Sequence, residues 1–227
     1  MPQVKLPWEP LIEHLADARS RRVVFLSHCL LNENTRYLGG ACVPGCLPEV
    51  VERCIEQRLG IVQMPCPEQQ AWGGVLKPML LRAYGLKRRS PLLFALRRPL
   101  LALFRWHTRR VYRKLARQVA SEVADYLSSG MHVHNVVGVD GSPTCGVSST
   151  IDLGSALERV TRLAPSSVTP GVLNRDLRAS VIAGQGMFTE ELQRELKRRQ
   201  IEVPFIAHDL CGELAAGAVS QAARRSA

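Results

Sequence analysis

Three cysteines carry the most chemistry in this chain. Cys29 stands in SHCLLNENTRY, Cys66 in QMPCPEQ and Cys145 in GVDGSPTCG. Each follows a short apolar run and sits among turn-forming residues: Asn32-Glu33-Asn34 after Cys29, Pro65 and Pro67 around Cys66, Gly141 to Gly146 around Cys145. Three thiolates that leave a fourth position open suit two kinds of metal centre. Zinc accepts them with a water in the fourth place. An iron–sulfur cluster accepts them with one iron left without a protein ligand. The residue types leave both open. Cys42-x3-Cys46 lacks the third member of the contiguous cluster loop used by radical enzymes, and Cys54, on the apolar face of a helical pattern, reads as a small hydrophobe. Cys211 is a candidate fourth ligand, and in that role it would close the open iron.

The elements that must position these cysteines alternate between strand and helix. Arg22–Ser27, Ile61–Met64, Val133–Val139, Ser180–Ala183 and Val203–Ala207 read as short buried strands. Leu47–Leu59, Thr108–Leu127, Thr189–Arg199 and an Ala-rich stretch at 212–225 read as helices. The expected fold is α/β: one domain over 1–227, with a mostly parallel, Rossmann-like sheet covered by helices and a basic helical insertion at about 72–117. Cys29, Cys66 and Cys145 then lie just past the first, second and third strands, and the carboxyl ends of parallel strands line one crevice.

Charge separates one segment from the rest. The 227 residues hold 30 Lys and Arg against 20 Asp and Glu, a net charge of +10. Between Glu68 and Glu122 there is no acidic residue, yet that interval holds thirteen Lys or Arg, from Lys77 to Arg117. Without it the chain would be slightly acidic. Hydrophobic residues make up 46%, enough for a real core, which excludes a disordered tail or a disulfide-stapled miniprotein. Aromatics at 5% argue against a stacking platform for single-stranded nucleic acid. The opening MPQVKLPWEP offers no export signal, so the expected setting is the cytoplasm, with seven reduced cysteines.

Taken in order, the three cysteine motifs and the later GQGMFTEELQRELKRRQIEV resemble the 2-thiouracil desulfurase family. The likeness covers most of the chain apart from the basic insertion and the first twenty residues. It implies a 4Fe-4S cluster held by Cys29, Cys66 and Cys145, whose remaining iron binds the sulfur of a thiocarbonyl, and carbon–sulfur cleavage without net redox. It also implies roles for Glu68 of the CPE motif and Ser142 of SP-x-C, and points to Arg36 and Tyr37 of the RY pair as substrate contacts. The residue types suit that chemistry: an open iron is a Lewis acid for soft sulfur, and a carboxylate can move the protons that water addition requires. Simpler readings exist: Glu68 as a helix-entry carboxylate, Ser142 as a turn residue before Pro143, Arg36 as half of a salt bridge. Where the family has Asp-Gly after RY, this chain has Leu38-Gly39-Gly40. Where the family continues CPE with a short Gly-rich, Pro-Arg segment, this chain has AWGGVLKPM and the basic stretch.

Asp140 reads as loop structure, and Gly184-Gln185-Gly186 as either a tight turn or a set of backbone donors for an anion. His28 and the His208-Asp209 pair can reach the crevice but also suit structural roles. The basic stretch admits surface packing, contact with tRNA phosphates, or an interfacial helix in which Leu92, Leu93, Phe94, Leu100, Leu101, Leu103, Phe104 and Trp106 meet a membrane surface. The expected function is desulfuration of a thiolated pyrimidine, whether 2-thiouracil, thiouridine or thiolated tRNA. The competing class is a non-catalytic iron–sulfur or zinc module, redox or sensing, with a basic face for a partner.

Overall fold

The computed structural model describes residues 17–209, together with Pro10, His14 and Leu15; Cys211 and the expected helix at 212–225 lie outside the described residues. Strand β1 (Arg22–Leu26) leads through α1 (His28–Leu31) and α2 (Pro48–Glu56) to β2 (Gly60–Gln63). Four short helices follow, α3 (Pro67–Ala71), α4 (Pro78–Leu81), α5 (Leu86–Arg89) and α6 (Pro91–Ala95), then the long α7 (Arg97–Ser128) and β3 (His132–Asp140). The rest runs β4 (Ser149–Ile151), α8 (Leu153–Arg162), α9 (Pro170–Arg178), β5 (Val181–Ala183), α10 (Met187–Arg198) and β6 (Phe205–Asp209).

The main sheet has the order β2-β1-β3-β6, every neighbour parallel. Side chains of β1 alternate between two cores, as a strand buried on both faces requires. Val23 and Phe25 join Val119, Val123 and Phe188 on one side, whereas Val24 and Leu26 join Leu30, Leu47 and Cys54 on the other. Cys54 is thus the small core hydrophobe that its position on α2 implied.

Four expectations are corrected. Ser180–Ala183 does not join the main sheet: β5 pairs antiparallel with β4, a strand not anticipated, in a separate ribbon. The helix expected from Thr108 begins at Arg97. Pro99 falls in its first turn, where the N–H that proline lacks has no intrahelical partner to lose. Helices α8 and α9 were not anticipated. They start at side-chain caps, with Asp152 accepting from the N–H groups of Gly154 and Ser155, and Thr169 accepting from that of Val172. The last strand also begins two residues later than expected, after Pro204, whose carbonyl still accepts from the Val136 N–H (2.9 Å).

Among the described residues, no helix is long and apolar enough to cross a membrane.

Candidate active site

Because β1 lies between β2 and β3, the chain reverses its direction of travel across the sheet at β1, and a crevice opens at the carboxyl ends of these strands. Cys29 follows β1 on α1, Cys66 follows β2 as the residue before α3, and Cys145 follows β3 in a loop. All three line one cavity, with Glu68, Ser142, Arg36 and Tyr37 in the same wall. Every residue expected to do chemistry is therefore at one place. Cys42 and Cys46 are not among the lining residues, nor are His208 and Asp209; His28 is, its Nδ1 lying 3.2 Å from the Met64 carbonyl.

Cys66 and Cys145 are buried and Cys29 half-buried. Burial pushes all three thiols up, Cys66 to about 11, and Cys29 and Cys66 further oppose ionisation of Cys145. Weaker influences favour the thiolates: Arg36 and Lys77 at Cys29, the Gln69 N–H at Cys66, the Ser27 hydroxyl at Cys145. Thiols that hinder one another's ionisation are relieved by an added cation, which takes the place of their protons. Among the described residues no three His, Cys, Asp or Glu side chains are arranged to hold a metal ion as they stand.

The core cluster that includes Cys145 also holds a buried hydroxyl. Tyr112 of α7 is fully buried, and its OH finds no hydrogen-bond partner among the described residues. Burial raises its pKa well above the usual phenol value, and the charges of Glu68, Cys145 and Cys66 push the same way. An unsatisfied O–H in such a place costs about 1–3 kcal/mol. A thiolate or cluster sulfur would accept from it. Three thiols and an unpartnered hydroxyl are donors of the kind that a thiolate-held metal centre uses.

Glu68 belongs to a network that the sequence did not announce. Its Oε2 lies 2.9 Å from Lys77 Nζ, and its Oε1 accepts from the Thr144 hydroxyl at 2.9 Å. Lys77 also donates to the Thr35 carbonyl (2.6 Å) and is only 2% exposed. Its backbone is left-handed, with φ 51°, immediately before Pro78. Such a strained conformation in a non-glycine residue persists where the surroundings over-determine it. Thr144 Oγ1 is 2.8 Å from Ser142 Oγ. Since the Thr144 proton goes to Glu68, Ser142 must donate to Thr144, while Ser142 Oγ itself accepts from the N–H groups of Thr144 (3.2 Å) and Cys145 (3.1 Å). Ser142 is therefore both the turn residue and the end of a hydroxyl chain leading to Glu68.

The loop carrying Cys145 is held rigidly. Asp140 accepts from the N–H groups of Val147 and Ser148 and from the Ser148 hydroxyl, which is the structural role expected for it. A Cβ at Gly138 would meet the Cys145 carbonyl at 2.2 Å, and one at Gly186 the Thr144 carbonyl at 2.3 Å, so both positions need glycine for close approach. The Gly184-Gln185-Gly186 turn is not an anion site. The N–H groups of Gly186, Met187 and Phe188 donate to the carbonyls of Gly146, Pro143 and Thr144. The amino end of α10 thus grips the cysteine loop.

Arg36 and Tyr37 line the cavity with their polar groups engaged by protein. Arg36 Nη1 is 2.9 Å from Glu33 Oε1, and both side chains are buried. Glu33 Oε2 accepts from the N–H groups of Cys42 and Val43, so this carboxylate ties two loops together. Tyr37 donates to Asn174 Oδ1 at 2.7 Å, and burial holds its phenol neutral.

Three arginines of the basic stretch meet acids from later in the chain. Arg97 pairs with Glu158, Arg109 with Glu190 and Glu191, and Arg113 with Glu191. The rest of the cavity wall is apolar and comes partly from this stretch and partly from α8 and α9: Leu80, Leu81, Tyr84, Leu157, Leu173 and Leu177.

Sequence reasoning missed Lys77, Thr144, Tyr112 and Glu33. Thr144 sits inside the SP-x-C motif and was open to notice. Nothing in the sequence sets Lys77 apart from the other charges of its stretch, or Tyr112 from an ordinary core aromatic.

No family model matches this chain, and no solved structure matches it. A stretch of 50 residues is 38% identical to the uncharacterized protein MJ0003 of Methanocaldococcus jannaschii. The match covers 22% of this chain and about a third (32%) of that protein.

Proposed function

We propose that this protein is an iron–sulfur-dependent desulfurase that converts the thiocarbonyl of a small pyrimidine to a carbonyl, with water as the oxygen source and sulfide as the product. The reading is carried by the placement of Cys29, Cys66, Cys145 and the Glu68 carboxylate in the wall of one cavity at adjacent strand ends. A 4Fe-4S cluster held by the three cysteines would supply an iron without a protein ligand as Lewis acid for soft sulfur.

The protein's own groups manage protons and orientation. Water adds its oxygen to the ring carbon, sulfur leaves that carbon, and both water protons end on the departing sulfur, so no electrons are gained or lost. Glu68 accepts a proton from the attacking water and returns it to the sulfur. Lys77 holds one of its oxygens and Thr144 the other, which fixes the orientation of the carboxylate. Ser142 keeps Thr144 oriented and closes the Cys145 turn. Arg36 places a positive charge beside Cys29. The apolar wall keeps bulk water from the reacting carbon.

The test is anaerobic incubation of cluster-loaded protein with 2-thiouracil and with 4-thiouridine, measuring sulfide and oxygenated product in equal amounts. Glu68→Gln, with its iron content unchanged, is expected to lose at least about a hundredfold in rate. A loaded cluster with no sulfide release from either compound would leave the redox or sensor reading in its place.

A further inference from the structure

The cavity has two chemically different halves. Among its described lining residues, the charged or ionisable polar groups other than Tyr84 all stand at the thiol end: Cys29, Cys66, Cys145, Glu68, Lys77 and Arg36, with His28 and Tyr37 beside them. The other half is built by three helices that each present an aliphatic face. Leu80, Leu81 and Tyr84 come from α4 and the turn after it, Leu157 and Val160 from α8, and Leu173 and Leu177 from α9. The spacings of three and four residues put each set on one side of its helix. Two polar side chains of these helices are engaged elsewhere. Glu158 is bound by Arg97 and Arg162, and Asn174 is held between Tyr37 and the Gly39 carbonyl. Leu38 and Leu76, more than half exposed, stand where the cavity meets solvent.

A ribose or phosphate placed in that half would lose water and find only the Tyr84 hydroxyl to pair with, and desolvating unpaired polar groups is unfavourable. An aliphatic chain loses nothing there, and each buried methylene favours binding by about fourfold. The wall is also more apolar than an unsubstituted pyrimidine needs, since such a ring is polar at nearly every edge.

We propose that this half of the cavity is a specificity pocket for an apolar substituent, so that the substrate is a thiocarbonyl heterocycle carrying a short alkyl or aryl group, not a nucleoside. The thiocarbonyl end of this assignment rests on the desulfurase reading; the apolar end rests on the wall alone. Leu81, Leu157, Leu173 and Leu177 are its specificity-determining residues, and Leu81 belongs to the segment in which this chain departs from the family it resembles.

The experiment is calorimetric binding to the cluster-loaded protein, which needs no turnover. Three probes are compared: 2-thiouracil, 6-propyl-2-thiouracil and 2-thiouridine. The propyl compound is expected to bind at least tenfold more tightly than 2-thiouracil, and 2-thiouridine more weakly than either. In Leu81→Gln and Leu177→Gln, each confirmed folded by circular dichroism, the ratio between the propyl compound and 2-thiouracil is expected to fall towards one. Equal or weaker binding of the propyl compound, tighter binding of the nucleoside, no binding of any probe, or a preference that survives both substitutions overturns the proposal. Sulfide release is scored separately. A tenfold preference without sulfide would retain the pocket and remove the desulfurase reading, whereas sulfide release without the preference would do the reverse.

Discussion

Lys77 Nζ lies 2.9 Å from Glu68 Oε2, with the lysine side chain 2% and the glutamate 14% exposed. The two residues stand on opposite sides of the turn that follows α3, and the ion pair closes that turn over the thiol end of the cavity. Breaking one side of a buried pair strands the other charge, which costs more than the pair itself contributes.

Lys77→Met and Glu68→Gln are therefore each expected to destabilise the protein, by about 3 kcal/mol for the lysine. The double variant should be more stable than the sum of the two losses implies. Urea unfolding of all four proteins completes the cycle. Simple additivity would show that the pair is not coupled, and would remove Lys77 as the residue that positions Glu68.

Ser142 and Thr144 separate by function. Ser142→Ala removes the acceptor for two backbone N–H groups, so it should loosen the Cys145 loop by about 1–3 kcal/mol and lower cluster retention. Thr144→Val keeps that turn but cuts the link to Glu68, so iron content should hold while the rate falls. Equal iron loss in both variants would contradict this division.

Tyr112→Phe distinguishes the two states of the thiol site. In the metal-free chain, deleting an unpartnered hydroxyl should leave stability unchanged or raise it. In the loaded protein it removes a donor to the centre, and hydrogen bonds to cluster sulfur set its potential. The reduction potential is expected to fall, because a donor to sulfur favours the more negative, reduced form. An unchanged potential, read by redox titration with electron paramagnetic resonance, would mean that the hydroxyl does not reach the cluster.

Acid stability offers a test of the Asp140 clasp. Burial alone would push this carboxyl up, yet the Ser148 hydroxyl and the N–H groups of Ser148 and Val147 together hold it below its ordinary value of 3.8. A depressed pKa stabilises the fold above the unfolded value, and that contribution is lost as pH falls through the folded one. The stability gap between wild type and Asp140→Asn should be present at pH 6 and shrink below about pH 4, with a size near 1 kcal/mol for so solvent-exposed a group. A gap independent of pH would show that the charge of Asp140 is not what holds the loop.

Substitution of the cysteines sorts them by place. Cys29→Ala, Cys66→Ala and Cys145→Ala are each expected to abolish a content of about four irons and four sulfides per chain. Cys54→Ala and Cys46→Ser should retain it, since Cys54 packs in a core and Cys46 is exposed away from the cavity. Full iron in any of the first three would remove that residue as a ligand.

Patterns of short range were legible in the amino-acid sequence by itself. β-branched runs bounded by turn residues located the main strands, and parallel strands bring their carboxyl ends to one edge by topology, so Cys29, Cys66 and Cys145 could be grouped without coordinates. The loop role of Asp140 and the core role of Cys54 were open to the same local reasoning. The antiparallel ribbon of β4 and β5 was not, because three residues carry too little periodicity to show which sheet they join. Of the thirteen positive charges between Glu68 and Glu122, only the structure shows that Arg97, Arg109 and Arg113 meet Glu158, Glu190 and Glu191 of α8 and α10. Lys77 and Tyr112 show the same limit at the site. Their types have ordinary uses at the surface and in a core, and only the tertiary packing decides that one ammonium grips Glu68 and one hydroxyl is buried without a partner among the described residues. Tertiary structure alone could decide this, because burial and partnership depend on distances between residues far apart along the chain.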